Sequence, residues 1–314
     1  MISRNADSAI ANQRLRVSLR NARAEANLSQ GEVGKALKWS AKRVLRLETG
    51  ESPISVSDVE AMASLYGIDP IRTQELIKLT EASTGPAWWS SYRNVISAEF
   101  GLFLSFERAA TQLRYFHPLL VHGLLQTESY ANALLTRSSN PVQLISRKKL
   151  RMARKEIFTR ADPPEVTIIL GEAALHNRVG SAEIMNAQLQ SLQQAAGSEA
   201  LNLGIVPFEQ SVYPAMLMGF DLARLSETET TLFLESPPAS RTTKDETTLN
   251  ELFGDFFSLI TSRARFGSDA VALITAILEK QARADSGQEN NAATRDQAAE
   301  LGSSGEGRCR GEQA

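Results

Sequence analysis

The sequence predicts a multidomain protein with an all-α domain of five helices, then a mixed α/β (α+β) domain with about four strands, then a disordered tail. Five short segments with helical periodicity fill the first 82 residues. From residue 95 onward, β-branched runs of strand length are separated by helical segments. We therefore divide the chain into residues 1–82, a junction at 83–94, residues 95–284 and a tail at 285–314.

Positive charge is concentrated at the amino end of the chain. Residues 1–46 carry a net charge of +7, whereas the whole chain of 314 residues carries −2, which leaves −9 for the remainder. The 42% hydrophobic residues suffice for two cores. A small basic module joined to an acidic remainder indicates a localised phosphate-binding surface, not a nucleic-acid polycation.

Cysteine usage fits a reducing compartment, and hydropathy gives no sign of a membrane span. Its single cysteine, Cys309, excludes disulfides and cysteine-ligated metal sites within one chain. The amino terminus lacks a signal-peptide core, and no run approaches the 18 apolar residues of a membrane span, so we expect a cytoplasmic protein with no membrane partner. The tail has no aromatic residue and one leucine, too little apolar surface to offset its ordering entropy.

Periodic apolar residues and caps mark the helices of the first domain. Leu15 and Leu19 begin a helical stripe that ends near Asn27. Ser29 opens "SQGEVGKAL", and Glu32 three residues later completes a capping box. The segments "SVSDVEAMASLYGI" and "PIRTQELIKLTEA" predict the fourth and fifth helices, the latter with proline in its first turn.

The third helix, "SAKRVLRLETG" (40–50), is short and basic. Ser40 can cap the start of this helix, and Gly50 can end it at little conformational cost. At about 100° per residue, its three cations fall within an arc of about 100°, and two apolar residues point elsewhere. The cations are Lys42, Arg43 and Arg46, and the apolar residues are Val44 and Leu47. A solvated surface helix and a phosphate-binding helix both fit these residues alone.

The link between the second and third helices decides in favour of binding. It is only four residues, "KWSA", and Gly34 inside the second helix costs about 1 kcal/mol relative to alanine, which a close helix crossing would explain. These features describe a helix-turn-helix whose recognition helix, at about 40–48, enters the major groove. An arginine fork can address guanine bidentately, so Arg43 or Arg46 is the better base reader, and Lys42 suits phosphate.

Residues 15–69 resemble the phage-repressor or xenobiotic-response-element (XRE) type of helix-turn-helix domain. The matching residues are "LSQGEVGKAL", Ser40, "RLETG" and "LYGI". The resemblance implies that Gln30 contacts a backbone phosphate and that Arg23 pairs with Glu48. It also implies a DNA-facing set, which comprises Ser40, Ala41, Lys42, Arg43 and Arg46. The usual turn glycine is replaced by Lys38, which would carry a left-handed penalty of about 1 kcal/mol.

Strands and helices alternate in the second domain. Paired tryptophans in the junction, Trp88 and Trp89, fit either packing or a ligand platform. Residues 98–115 form an apolar segment that we predict to be one helix. We predict a loop and then a helix within about 119–135, and a basic helix at about 145–160. The predicted strands are "EVTIIL", "LNLGIVPF", "MGFDLARL" and "TTLFLES". A helix, "SAEIMNAQLQSLQQAA", separates the first two strands, and two helices at 246–264 and 268–282 follow the last.

The second domain also resembles a known family, the actinomycete helix-turn-helix regulators that carry a carboxy-terminal domain of unknown biochemical function. The matching stretches include "FERAATQLRYFHPLLVHGLLQTESYANALL", "GEAALHNRVGSAEIMNAQLQSLQQAA" and "LNLGIVPF". His122 stands where the family usually has proline. The resemblance implies a small protein partner encoded nearby, in an arrangement like that of toxin–antitoxin pairs, with the regulator in the antitoxin role.

Three functional classes remain open. The first is a regulator of double-stranded operator DNA whose second domain binds a small protein or forms a homodimer, because one such domain covers only a few base pairs. The second is a regulator that senses a small-molecule effector, and the third is a DNA-tethered enzyme or toxin. We expect no enzyme, cofactor or metal, because phosphate loops and nucleophile motifs are missing and His117 and His122 lack a helical metal spacing.

Overall fold

A computed structural model describes residues 7–138, 140–210, 218–227, 229–234, 241–243 and 254–283. These residues form a helical amino-terminal domain followed by an α/β domain around a mixed sheet, as the sequence predicts. The predicted disordered tail, with Cys309, lies outside the described residues, as does the first part of the helix predicted at 246–264. Within the described ranges, no helix is both long enough and apolar enough to cross a bilayer.

The amino-terminal domain contains the five predicted helices. They are α1 (Ser8–Glu25), α2 (Gln30–Leu37), α3 (Ala41–Thr49), α4 (Val56–Tyr66) and α5 (Pro70–Ala82). One buried cluster joins them, and it contains Leu15 and Leu19 of α1 together with apolar residues of the other four helices. The packed face of α3 contributes Val44 and Leu47 to this cluster, so the helix is anchored on one side.

Local chemistry fixes the turn between α2 and α3. Ser29 and Glu32 form the capping box of α2, and the Ser40 hydroxyl accepts a hydrogen bond from the Arg43 backbone N–H at the start of α3. Lys38 has a φ of 57°, the left-handed conformation that glycine usually takes. A Cβ on Gly34 would lie 2.9 Å from the Trp39 carbonyl oxygen, so the close crossing requires glycine there.

Seven helices lie in the second domain, counting only the described residues. They are α6 (Ala98–Ala109), α7 (Glu128–Ser138), α8 (Pro141–Arg154), α9 (Ala173–His176), α10 (Ala182–Ala196), α11 (Asp255–Arg263) and α12 (267–283). Short 3-10 turns at Ser90–Tyr92, Lys155–Phe158 and Phe208–Gln210 connect some of the elements.

The sheet has seven described strands, three more than the four that the sequence predicts. The strands are β1 (Gln112–His117), β2 (Glu165–Gly171), β3 (Asn202–Val206), β4 (Phe220–Arg224), β5 (Thr230–Leu234), β6 (Arg241–Thr243) and β7 (Arg265–Phe266). Their order is β6-β5-β4-β1-β2-β3-β7. Strands β1, β2 and β3 run parallel, and the remaining pairs are antiparallel. The edge strands β6 and β7 have only three and two residues, too short for a periodic signal.

The prediction of one helix over residues 98–115 is wrong at its carboxyl end. The helix α6 stops at Ala109, and the following residues form β1, which pairs with β2 on one side and β4 on the other. The apolar pattern of this stretch fits both helix and strand, and only the distant partner strands decide between them. Strand β1 therefore lies in the middle of the sheet, and Tyr115 and Phe116 are fully buried.

The helix α1 takes part in both domains. Ile10 belongs to the buried cluster that contains Phe103 and Phe106 of α6, and Arg14 forms an ion pair with Glu229 beyond β4. The junction tryptophans also contact α6. Trp88 donates to the Leu104 carbonyl and Trp89 donates to the Ser105 hydroxyl. These contacts favour the packing interpretation of the tryptophan pair over a ligand platform.

Candidate nucleic-acid interface

The helix α3 has two faces of different character. Val44, Leu47 and Glu48 are buried, and the opposite side is exposed to solvent. The exposed residues of α3 are Ala41, Lys42, Arg43, Leu45, Arg46 and Thr49. At about 100° per residue, Ala41, Leu45, Lys42 and Arg46 fall within an arc of about 140°. This face combines two cations with small and apolar side chains, which suits contact with both phosphates and base edges.

A buried carboxylate fixes how α3 lies against the other helices. Arg23 of α1 donates to both Glu48 oxygens, through Nε at 2.6 Å and through Nη2 at 3.1 Å. The Gln30 amide of α2 donates to Glu48 Oε2 at 2.8 Å. The hydrogen bond that Arg23 donates to Glu48 raises the pKa of Arg23 above its usual value, and Arg23 also donates to the Leu28 carbonyl. Glu48 thus joins α3 to α1 and α2, and we refer to Arg23, Gln30 and Glu48 as the Glu48 network.

Gln30 has a structural contact at the position where the resemblance implies a phosphate contact. Its side-chain amide donates to Glu48. An amide group carries a second N–H and an acceptor oxygen, so this bond is compatible with a phosphate contact as well. The network would then place Gln30 at the start of α2, beside the backbone N–H groups that favour anions at a helix amino end.

Arg43 contacts other residues of its own domain, which the sequence does not predict. Its Nη2 lies 2.7 Å from Asp58 Oδ1, and its guanidinium carbon lies 4.2 Å from the centre of the Trp39 ring. Asp58 also caps α4 by accepting from the Ser55 backbone N–H. Arg43 therefore links α3 to α4, and half of its side chain remains exposed. A base contact would have to compete with these two contacts.

Arg46 and Lys42 are better placed for DNA. Arg46 is 48% exposed, and its Nε lies 3.8 Å from a carboxylate oxygen of the more exposed Glu51. Such a loose surface pair contributes little to stability, about 0–1 kcal/mol. Lys42 is exposed one turn before Arg46. Arg46 thus combines a planar fork with freedom to reorient, which makes it the stronger candidate for base reading.

Leu45 is an outward-facing residue that the charge pattern alone does not reveal. It is 42% exposed and lies on the same face as Lys42 and Arg46. Leu45 is neither a cation nor a buried apolar residue, so a division of α3 into these two groups gives it no role. On a helical wheel, however, Leu45 falls between Ala41 and Lys42. An exposed leucine on a recognition helix can contact the methyl group of thymine.

These features define a helix-turn-helix domain, which indicates DNA binding. The family model described as "Helix-turn-helix domain" matches residues 14–76. The model described as "Domain of unknown function (DUF5753)" matches residues 100–276, more than half of the chain, so the protein belongs to this family. Searches of the curated proteins and of the solved structures found no match.

Removal of the Glu48 carboxylate should loosen the amino-terminal domain. Glu48→Ala leaves the largely buried Arg23 without its counter-charge, which costs about 3 kcal/mol. The free energy of unfolding in urea measures this loss. Glu51→Ala, which removes an exposed carboxylate from the same region, should change it by less than about 0.5 kcal/mol. Parent-like stability of Glu48→Ala would show that the Glu48 network does not hold α3.

Proposed function

We propose that the protein is a sequence-specific transcription regulator that inserts α3 into the major groove of double-stranded operator DNA. The observation that carries this proposal is the two-sided character of α3. The Glu48 network and the apolar cluster hold one face, and Lys42, Leu45 and Arg46 project from the other. A rigidly held helix with exposed cations is what base reading requires, because the side chains must meet fixed positions in the groove.

Four exposed residues of α3 have distinct proposed roles. Arg46 reads a guanine through its O6 and N7 atoms, and Lys42 neutralises a phosphate. Ala41, at the amino end of α3, allows close approach to the base edges, and Leu45 contacts a thymine methyl group. Ser40 and Gln30 lie at the amino ends of α3 and α2, where backbone N–H groups favour a phosphate.

We further propose that the protein binds its operator as a homodimer and is not an enzyme. One helix-turn-helix domain contacts only a few base pairs, so a second copy would add the second half-site about one helical turn away. The second domain would supply dimerisation and the surface for a small protein partner encoded nearby, as the resemblance to antitoxin-like regulators implies. Operator binding would place this activity in the cytoplasm.

Three alanine variants should separate base reading from phosphate contact and from structure. Arg46→Ala should lose about 1–3 kcal/mol of binding to the selected site and relax its sequence preference. Lys42→Ala should weaken binding to all sequences alike and lower the salt slope by about one unit. Arg43→Ala should mainly lower stability, because it removes the contacts with Asp58 and Trp39.

The measurement is titration of each folded variant, at several salt concentrations, against a duplex selected from a random library by the parent protein. Parent-like affinity and sequence preference in Arg46→Ala would contradict the assignment of α3 as the reading helix. Failure of the parent protein to select any duplex would contradict DNA reading altogether.

Leu45 should make the protein sensitive to thymine methyl groups. Replacing the contacted thymine by uracil removes one methyl group, so the parent protein should lose about fourfold in affinity, the equivalent of about 0.8 kcal/mol. Leu45→Ala should bind the thymine and uracil duplexes equally. Uracil at a position outside the selected site serves as the control. An equal uracil effect in both proteins would show that Leu45 is not the contact.

A further inference from the structure

Three side chains of the kinds that ligate metal ions meet at the carboxyl end of β1. They are His117, the last residue of β1, His122 in the following loop, and Asp221 in β4. One ligand atom from each lies within 4.8 Å of the other two. His117 Nε2 lies 2.7 Å from Asp221 Oδ1, and the two imidazole ring centres are 4.7 Å apart. We refer to these three residues as the His–His–Asp cluster.

Sheet register explains why the cluster forms. Asp221 lies directly opposite Tyr115 in the antiparallel pair of β4 and β1. Directly opposed residues share a face of the sheet, and so do residues two apart on one strand. Asp221 therefore shares a face with His117. The loop after β1 then returns His122 to the same place, where its ring stacks on Tyr115 with centres 4.2 Å apart.

Burial makes the grouping unusual. His122 is 2% exposed and Asp221 is 5% exposed, whereas the His117 side chain retains about a fifth of its exposure. His122 Nδ1 accepts a hydrogen bond of 3.4 Å from the Leu124 backbone N–H, and two imidazoles with a carboxylate form a donor set that a metal ion can also satisfy. The partly exposed His117 leaves the cluster open to solvent on one side.

We propose that His117, His122 and Asp221 bind a divalent first-row transition ion, with zinc as the reference ion. Imidazole ligands suit zinc, cobalt and nickel better than magnesium or calcium, which prefer oxygen ligands. Three protein ligands with an open fourth position for water match the composition of many zinc sites that are not fully enclosed. This site is independent of the DNA-reading face of α3.

Binding requires modest side-chain adjustment. Metal–ligand bonds of about 2.0–2.1 Å in a tetrahedral site place ligand atoms about 3.3 Å apart. The cluster must therefore close from its present spread of up to 4.8 Å, and the contact between His117 and Asp221 must lengthen from 2.7 Å. The ion would take the place of the hydrogen bond between these two residues.

Nearby charges limit the expected affinity. The positive charge of Arg154 lies near His122. The Glu107 carboxylate offsets this charge, because it accepts two hydrogen bonds of 2.6 and 2.9 Å from Arg154. The positive charge of Arg151 also lies near His122, and Arg151 donates a hydrogen bond of 2.7 Å to the Gln126 side-chain oxygen. Because these cations oppose an added dication, we expect weaker binding than at an enclosed structural zinc site.

Cobalt provides a direct optical test in the full-length chain. The protein should be untagged and carry Cys309→Ser, so that no thiolate or tag competes for the ion. Titration with Co²⁺ should give visible d–d absorption that saturates at one equivalent and is displaced by Zn²⁺. His117→Gln and Asp221→Asn should each weaken binding at least about tenfold. His176→Gln, which alters the more exposed pair with Glu172, should bind like the parent.

A second measurement needs no variant at the cluster. The chain has three histidines, so imidazole nitrogen resonances of ¹⁵N-labelled protein distinguish two of them from the third. Zinc should shift the signals of His117 and His122 and leave those of His176 in place. The proposal is overturned if the protein takes up less than half an equivalent of Co²⁺ at millimolar concentration. It is also overturned if only His176 responds, or if both cluster variants bind like the parent.

Discussion

The amino-terminal domain depends on a buried anion, the Glu48 carboxylate. It accepts hydrogen bonds from Arg23 and Gln30, side chains that belong to two different helices. A buried charge is tolerated only when its partners are correctly placed, so the carboxylate constrains α1, α2 and α3 together. The constraint acts on the inward side of α3. The outward side of α3 is not needed for this packing, and it carries the proposed DNA contacts.

Local sequence signals predict most of this domain. Caps at Ser29 and Ser40, the stripe of Leu15 and Leu19, and the buried Gly34 each act within a few residues, so they are visible without a fold. The bond between Arg43 and Asp58 spans two helices, and sequence spacing gives no sign of it. It engages Arg43 in the packing between α3 and α4, so a base contact by Arg43 would have to compete with this bond. Leu45 lies on the outward face of a helical wheel, but it has no charge, so the charge pattern does not predict its role.

The second domain is harder to predict because its decisive contacts are long-range. Four strands are apparent from β-branched or alternating apolar runs, but β1 follows α6 so closely that the two resemble one apolar helix. Its strand character comes from pairing with β2 and β4, which lie about fifty and a hundred residues further along the chain. The His–His–Asp cluster depends on the same pairing. His117 and His122 lack a helical metal spacing in sequence, and Asp221 approaches them only through register with β1.

The central claim is that the outward face of α3 lies in the major groove, with Arg46 on a guanine. Methylation of guanine N7 by dimethyl sulfate tests it most directly, because this atom faces the major groove and is the proposed Arg46 contact. The account predicts that the parent protein protects at least one guanine N7 in the selected duplex. Saturating Arg46→Ala should lose that protection, and Arg43→Ala should retain it. Equal protection by the parent and Arg46→Ala, or unprotected guanines throughout the bound site, would contradict the account.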